Sequence, residues 1–97
     1  MGLDEISRLD QKFLSGLGST VGDLEQAIEN RDWKRTFELS HRLHGAALAY
    51  RHGDLATLAK SLETASSKAM NDDPAPSERF LDTLRSIQHW VDGQLKQ

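Results

Sequence analysis

Asp32-Trp33-Lys34-Arg35-Thr36-Phe37-Glu38-Leu39-Ser40-His41-Arg42-Leu43-His44-Gly45-Ala46-Ala47-Leu48-Ala49-Tyr50 is the stretch whose reading decides the fold. Leu39, Leu43 and Ala47 follow one another at steps of four, the spacing of one helix face, and Trp33 opens the same run. Asp32 is of the residue type that caps a helix start, because its carboxylate accepts from a first-turn N–H. The pattern predicts a helix from the Asp32 cap toward Tyr50, and Gly53 reads as the glycine that closes it.

Working outward toward the N-terminus, Asn30-Arg31-Asp32 is turn chemistry. Before it, Ile6, Leu9, Phe13, Leu17, Val21, Leu24 and Ile28 draw one apolar stripe. Gly16, Gly18 and Gly22 each weaken a helix interior by up to about 1 kcal/mol relative to Ala, and Ser19-Thr20 offers a new cap. The expectation is therefore two helices, about residues 4 to 15 and 19 to 29. In the other direction Asp54 is placed to cap a further helix with the stripe Leu55, Leu58, Leu62, Ala65 and Ala69. Asn71-Asp72-Asp73-Pro74-Ala75-Pro76 holds both prolines and reads as the longest loop. Ser77 and Glu78 then start a last helix on Phe80, Leu84, Ile87, Val91 and Leu95.

Fourteen Leu and nine Ala against two Val and three Ile favour helix throughout. Short connections favour antiparallel neighbours, so the fold expected is all-α: an up-down-up-down four-helix bundle with a short extra N-terminal helix across one end, one domain over residues 1–97. Trp33 and Trp90, near helix ends, are read as closing the core rather than as a binding platform.

Ninety-seven residues hold a single core and no second, nucleotide-binding domain. The absence of cysteine removes disulfides, thiolate zinc sites and thiol catalysis, and fits a cytoplasmic protein. A net charge of -3 argues against nucleic-acid binding, and the acidic start at Asp4 and Glu5 predicts neither a signal peptide nor a membrane span.

Polar chemistry concentrates in His41-Arg42-Leu43-His44-Gly45-Ala46-Ala47. At about 100° per residue, Leu39, Leu43, Ala46 and Tyr50 make the buried face and His41 points the opposite way. Within about 40° of His41 lie Gly45, Leu48, Phe37, Lys34 and, at the helix end, His52. Gly45 is costly in mid-helix and faces away from the core, so its missing side chain leaves room for another protein to approach the imidazole. Phe37 and Leu48 would then be apolar contacts for that partner, unless the first helix of the same chain covers them. Unperturbed imidazole titrates near about 6.5, so an exposed one is a competent nucleophile at physiological pH, and its phosphorylated form keeps a high transfer potential. His44 at i+3 is near enough to donate to phosphate oxygens on His41. Metal binding by His41, His44 and His52 is disfavoured, because no cysteine joins them and the acidic residues other than Glu38 lie elsewhere on the wheel.

The run His-x-Leu-x-Gly-x-Ala beginning at His41, followed by Leu55 and then Leu62-Glu63, resembles the histidine-containing phosphotransfer (Hpt) family. The resemblance covers nearly the whole chain, and the His-x-Leu-His-Gly variant looks like the modules at the C-termini of bacterial hybrid sensor kinases. It implies that His41 is the phosphoacceptor, that His44 stands where a phosphate-supporting Lys is usual, and that Gly45 admits a receiver domain. It further implies a monomeric phosphocarrier with no kinase site and no cofactor of its own, the magnesium ion being the receiver's. Two departures stand out: His44 replaces the Lys, and Arg51 stands where a family glycine often ends the motif helix. Such a chain is expected to be either freestanding or the terminal domain of a larger kinase. The alternative is a helical docking module whose histidine is never phosphorylated.

Overall fold

The computed structural model describes the backbone of residues 3–72 and 77–95 and the side chains of residues 11–72 and 77–94. Among these residues all regular structure is helical: α1 Leu3–Glu29, α2 Trp33–Ala49, α3 Gly53–Asp72 and α4 Glu78–Leu95. Helix α2 packs most extensively along α3, while α1 lies against α2 and α4, and α4 also lies against α3. Each helix thus touches two others around one core, which takes Leu17, Leu24 and Ile28 from α1, Leu39, Leu43 and Ala47 from α2, Leu55, Ala59 and Leu62 from α3, and Leu84, Ile87 and Val91 from α4. The side chains of Ile6, Leu9 and Leu95 fall outside the described residues.

Two helices were expected between residues 4 and 29, and the structure has one continuous helix there, with no separate N-terminal helix across the bundle end. The physical reason is the stripe. Leu17, Val21, Leu24 and Ile28 are all buried in a single helical register, with Phe13 packed against the same core, and a break near Gly18 would take that register apart. The glycines lie on the exposed side, and Thr20 spends its hydroxyl on the Gly16 carbonyl at 3.3 Å inside the helix rather than on a cap.

The turns after α1 and α2 are alike, and both show how the chain stops a helix without glycine. Arg31 N–H bonds the Ile28 carbonyl at 3.1 Å and Asp32 N–H bonds the Ala27 carbonyl at 2.8 Å. Arg51 N–H bonds the Leu48 carbonyl at 3.1 Å and His52 N–H bonds the Ala47 carbonyl at 2.8 Å. Each pair is a Schellman closure, with Arg31 (φ 57°) and Arg51 (φ 64°) in the left-handed region. Gly53 therefore does not close α2 as its identity suggested. It begins α3, and Asp54 sits inside the first turn of that helix rather than capping it. The expected cap at Asp32 is present, its side chain accepting from Arg35 N–H at 3.2 Å. Because a left-handed non-glycine residue costs roughly 1–2 kcal/mol and glycine returns part of that as unfolded-chain entropy, Arg51→Gly is expected to raise stability by about 0.5–1 kcal/mol. Urea unfolding reads this directly, and an unchanged or lower midpoint would contradict the strain at Arg51.

At the far end α3 continues through Asn71 and Asp72, which had been assigned to the loop; residues 73–76 lie outside the described residues. Trp33 is buried and stacks on Phe80 with ring centroids 4.5 Å apart, and half-buried Trp90 packs against the core, so both indoles serve packing. No helix among the described residues is long and apolar enough to cross a membrane.

Candidate functional site

Helix α2 turns Thr36, Leu39, Ser40, Leu43 and Ala47 into the bundle, which leaves His41 on the outside. The buried face is thus rotated from the one expected. Ala46 and Tyr50, expected on it with Leu39 and Leu43, are only half-buried, and Thr36 and Ser40 are fully buried instead. These two hydroxyls are tolerated because each bonds a carbonyl of its own helix, Thr36 to Asp32 at 2.9 Å and Ser40 to Thr36 at 2.6 Å. Ser66 does the same on α3, donating to the Leu62 carbonyl at 2.7 Å.

His41 keeps 68% of its side-chain surface exposed, yet its ring is anchored. The Nδ1 position hydrogen-bonds Oε1 of Glu63, a carboxylate from α3 with only 6% of its side-chain surface open. The other oxygen of Glu63 accepts from Lys60 Nζ at 2.9 Å. A carboxylate can only accept, so the neutral ring places its proton on Nδ1 and its lone pair on Nε2, which points away from the carboxylate. Phe37, one turn earlier, stacks nearly parallel to the ring, with centroids 6.1 Å apart and 13° between planes. Two contacts therefore fix the imidazole while one nitrogen stays open.

The Glu63 carboxyl is held below its ordinary value of 4.5, first by the Lys60 hydrogen bond and then by His41, with burial pulling the other way. A lowered folded-state value means that Glu63 contributes stability fully above the ordinary value and loses it as pH falls through the lowered one. As pH falls below the ordinary value of 4.5 the urea midpoint should therefore fall, and Glu63→Gln should flatten the fall. Identical acid profiles for the two proteins would show that the carboxylate gains nothing from its partners.

The structure brings most of the sequence-derived site together. Gly45 lies exposed one turn beyond His41, and a Cβ added there would meet no atom within 4 Å. Leu48 is 57% exposed, so α1 does not cover it, and Lys34 is exposed on the same helix. His44 is half-buried and lines a groove of about 590 Å³ with Leu48, Ala56, Lys60, Thr64 and Arg79. His52 is not part of this face. It lies beyond the end of α2, where a helical projection no longer applies, and its ring stacks on Phe13 at 5.6 Å and meets Trp90 edge-on at 5.0 Å.

Glu63 and Lys60 were given no role by the sequence reading. The signal was present in Ala56, Ala59, Glu63 and Ser66, a helical row of small residues interrupted by one acid, which marks a carboxylate on a buried face. Among the described residues no group of three or more His, Asp or Glu is placed to hold a metal ion.

Comparison with known proteins adds one finding. The family model described as Hpt domain matches residues 8–92, a span that reaches from α1 into the last turns of α4. Neither the curated proteins nor the solved structures gave a match. Hpt domains are phosphocarriers of phosphorelays, not kinases, and they interact with receiver domains of response regulators. With the match running through all four helices and across the anchored histidine, the chain belongs to the Hpt domain family.

Proposed function

We propose that this chain carries a phosphoryl group on Nε2 of His41 between aspartates of receiver domains. The observation that carries the reading is the asymmetry of the imidazole: Nδ1 held by a buried carboxylate, Nε2 open beside a glycine. In the forward step the Nε2 lone pair attacks the phosphorus of an aspartyl phosphate. The N–P bond forms as the P–O bond breaks, and the electron pair leaves with the receiver carboxylate. The Nδ1 proton stays in place, so the ring takes on a positive charge that Glu63 faces directly. Positioning and charge neutralisation do the rest, with the receiver supplying its magnesium ion and acidic pocket.

In this reading Gly45 lets the receiver approach, Phe37 orients the ring, and Leu48 and Lys34 meet the receiver surface. His44, at the position one turn on, supports the phosphate by donating a ring N–H to its oxygens. His52 belongs to the aromatic packing between α1 and α4 rather than to the docking face. The reading includes one domain over the whole chain, working as a monomer in the cytoplasm without cofactor of its own. Three-residue connections at 30–32 and 50–52 support an up-down-up-down order of the helices. The test is transfer from a receiver domain labelled with radioactive phosphate. Acid-labile, base-stable label on this chain is the expected result, and binding without transfer would favour the docking module instead.

A further inference from the structure

The phosphocarrier reading leaves one problem of charge. A phosphoryl group arriving at His41 is a dianion, and the nearest fixed charge on α3 is the buried Glu63 carboxylate, which repels it. The residue at i+3, where the resemblance leads one to expect a permanent cation, is the half-buried His44. Histidine there is not a permanent cation, so α2 has no fixed positive charge at that position to offset the repulsion.

We propose that Lys60 of α3 supplies the missing permanent charge, holding Glu63 in place and keeping the site neutral toward the incoming phosphoryl group. Three observations converge on it. Its Nζ is 2.9 Å from Glu63 Oε2 while His41 holds Oε1, so ammonium and imidazole bracket one carboxylate. Lys60 lines the same groove as His44, and so stands on the α3 wall opposite the place where a cation is expected on α2. Its side chain is 60% exposed, so the ammonium is reachable by a phosphoryl oxygen without burying a new charge.

With Lys60 present, Glu63 and Lys60 sum to zero beside the ring; without it the site presents a bare negative charge to a dianion. Lys60 differs from the other charged groups around His41 in bonding the Glu63 carboxylate itself. On α2, Glu38 and Arg42 flank the ring in sequence with opposite signs, and Arg79 of α4 lines the groove that also holds His44 and Lys60. On the α1 side, Lys12 and Asp23 line a separate groove with Arg42. Lys60 is thus a positioning and charge-balancing residue: it acts on the phosphoryl group through Glu63 and through space.

This inference rests on His41 being the phosphoacceptor, and the experiment separates the two. The intact chain is phosphorylated with phosphoramidate, a small histidine phosphodonor that needs no receiver, and N–P formation and decay are followed by phosphorus NMR. Lys60→Met is expected to slow labelling about tenfold and to shorten the life of the phosphohistidine, while Lys60→Arg stays within about twofold of the parent. Lys60→Gln keeps a hydrogen-bond donor toward Glu63 but carries no charge and should label as slowly as Lys60→Met, an outcome that loss of packing or of the hydrogen bond alone would not give. Circular dichroism on each variant confirms that it is folded, and Lys60→Gln stays informative if Lys60→Met is not. Labelling of folded Lys60→Met or folded Lys60→Gln at the parent rate overturns the role of Lys60. Absence of label on His41 in the parent chain overturns the phosphocarrier reading itself.

Discussion

His41→Gln is expected to abolish phosphorylation of the chain while leaving it folded. The side chain projects outward with 68% of its surface exposed, so its removal opens no cavity in the core. A glutamine amide can still donate to Glu63, and Lys60 remains on the second oxygen, so the buried carboxylate does not lose its partners. What disappears is the ring nitrogen that forms the bond in the proposed transfer. His44, His52 and His89 remain in the variant, His44 and His52 half-buried and His89 exposed on α4, and none of them stands in the His41–Glu63 arrangement. Thermal unfolding should move by only a few degrees while label from a phosphorylated receiver falls to background. Transfer to the variant at the parent rate would reject His41 as the acceptor.

Gly45→Leu should separate stability from transfer. Nothing lies within 4 Å of a Cβ at this position, and leucine is the better helix former by close to 1 kcal/mol, so the variant should be as stable as the parent or slightly more so. The added side chain occupies the surface one turn beyond His41, over which, in the proposed transfer, a receiver brings its aspartate in line with Nε2. A displacement of about 1 Å in such a transfer costs about a hundredfold, and a leucine displaces by more than that. Transfer from a receiver should fall by about a hundredfold or more. Labelling by phosphoramidate, a donor small enough to pass the leucine, should change far less. Normal receiver transfer in a folded variant would show that the open space is not used.

Much of this arrangement was legible in the chain, and the parts that were not have specific causes. The α2 start at Asp32, the outward aim of His41 and the core stripe of α4 followed from spacing and capping alone. The break expected in α1 did not occur, because the helix-propensity cost of Gly16, Gly18 and Gly22 was weighed without the burial that an unbroken stripe secures. Gly53 drew the α2 stop toward itself, whereas Arg51 takes the left-handed position and Gly53 starts the next helix. His52 was placed by extending a helical projection past the last helical residue. Glu63 was passed over because an acid on an amphipathic helix ordinarily faces solvent; only the partner helix shows that this one is enclosed and paired with His41. Contacts between helices carry the site, and they are the information a single periodic pattern does not hold.

In the proposed phosphocarrier, Glu63 fixes the proton on Nδ1 and so directs phosphoryl transfer to the other nitrogen of His41. Two-dimensional correlation of ring protons with nitrogen-15 and phosphorus, on the isotopically labelled and phosphorylated chain, reads the position of the N–P bond. Coupling of phosphorus to Nε2 of His41, with Nδ1 still protonated, is the predicted result. Phosphorus on Nδ1, or on any other histidine, would contradict it.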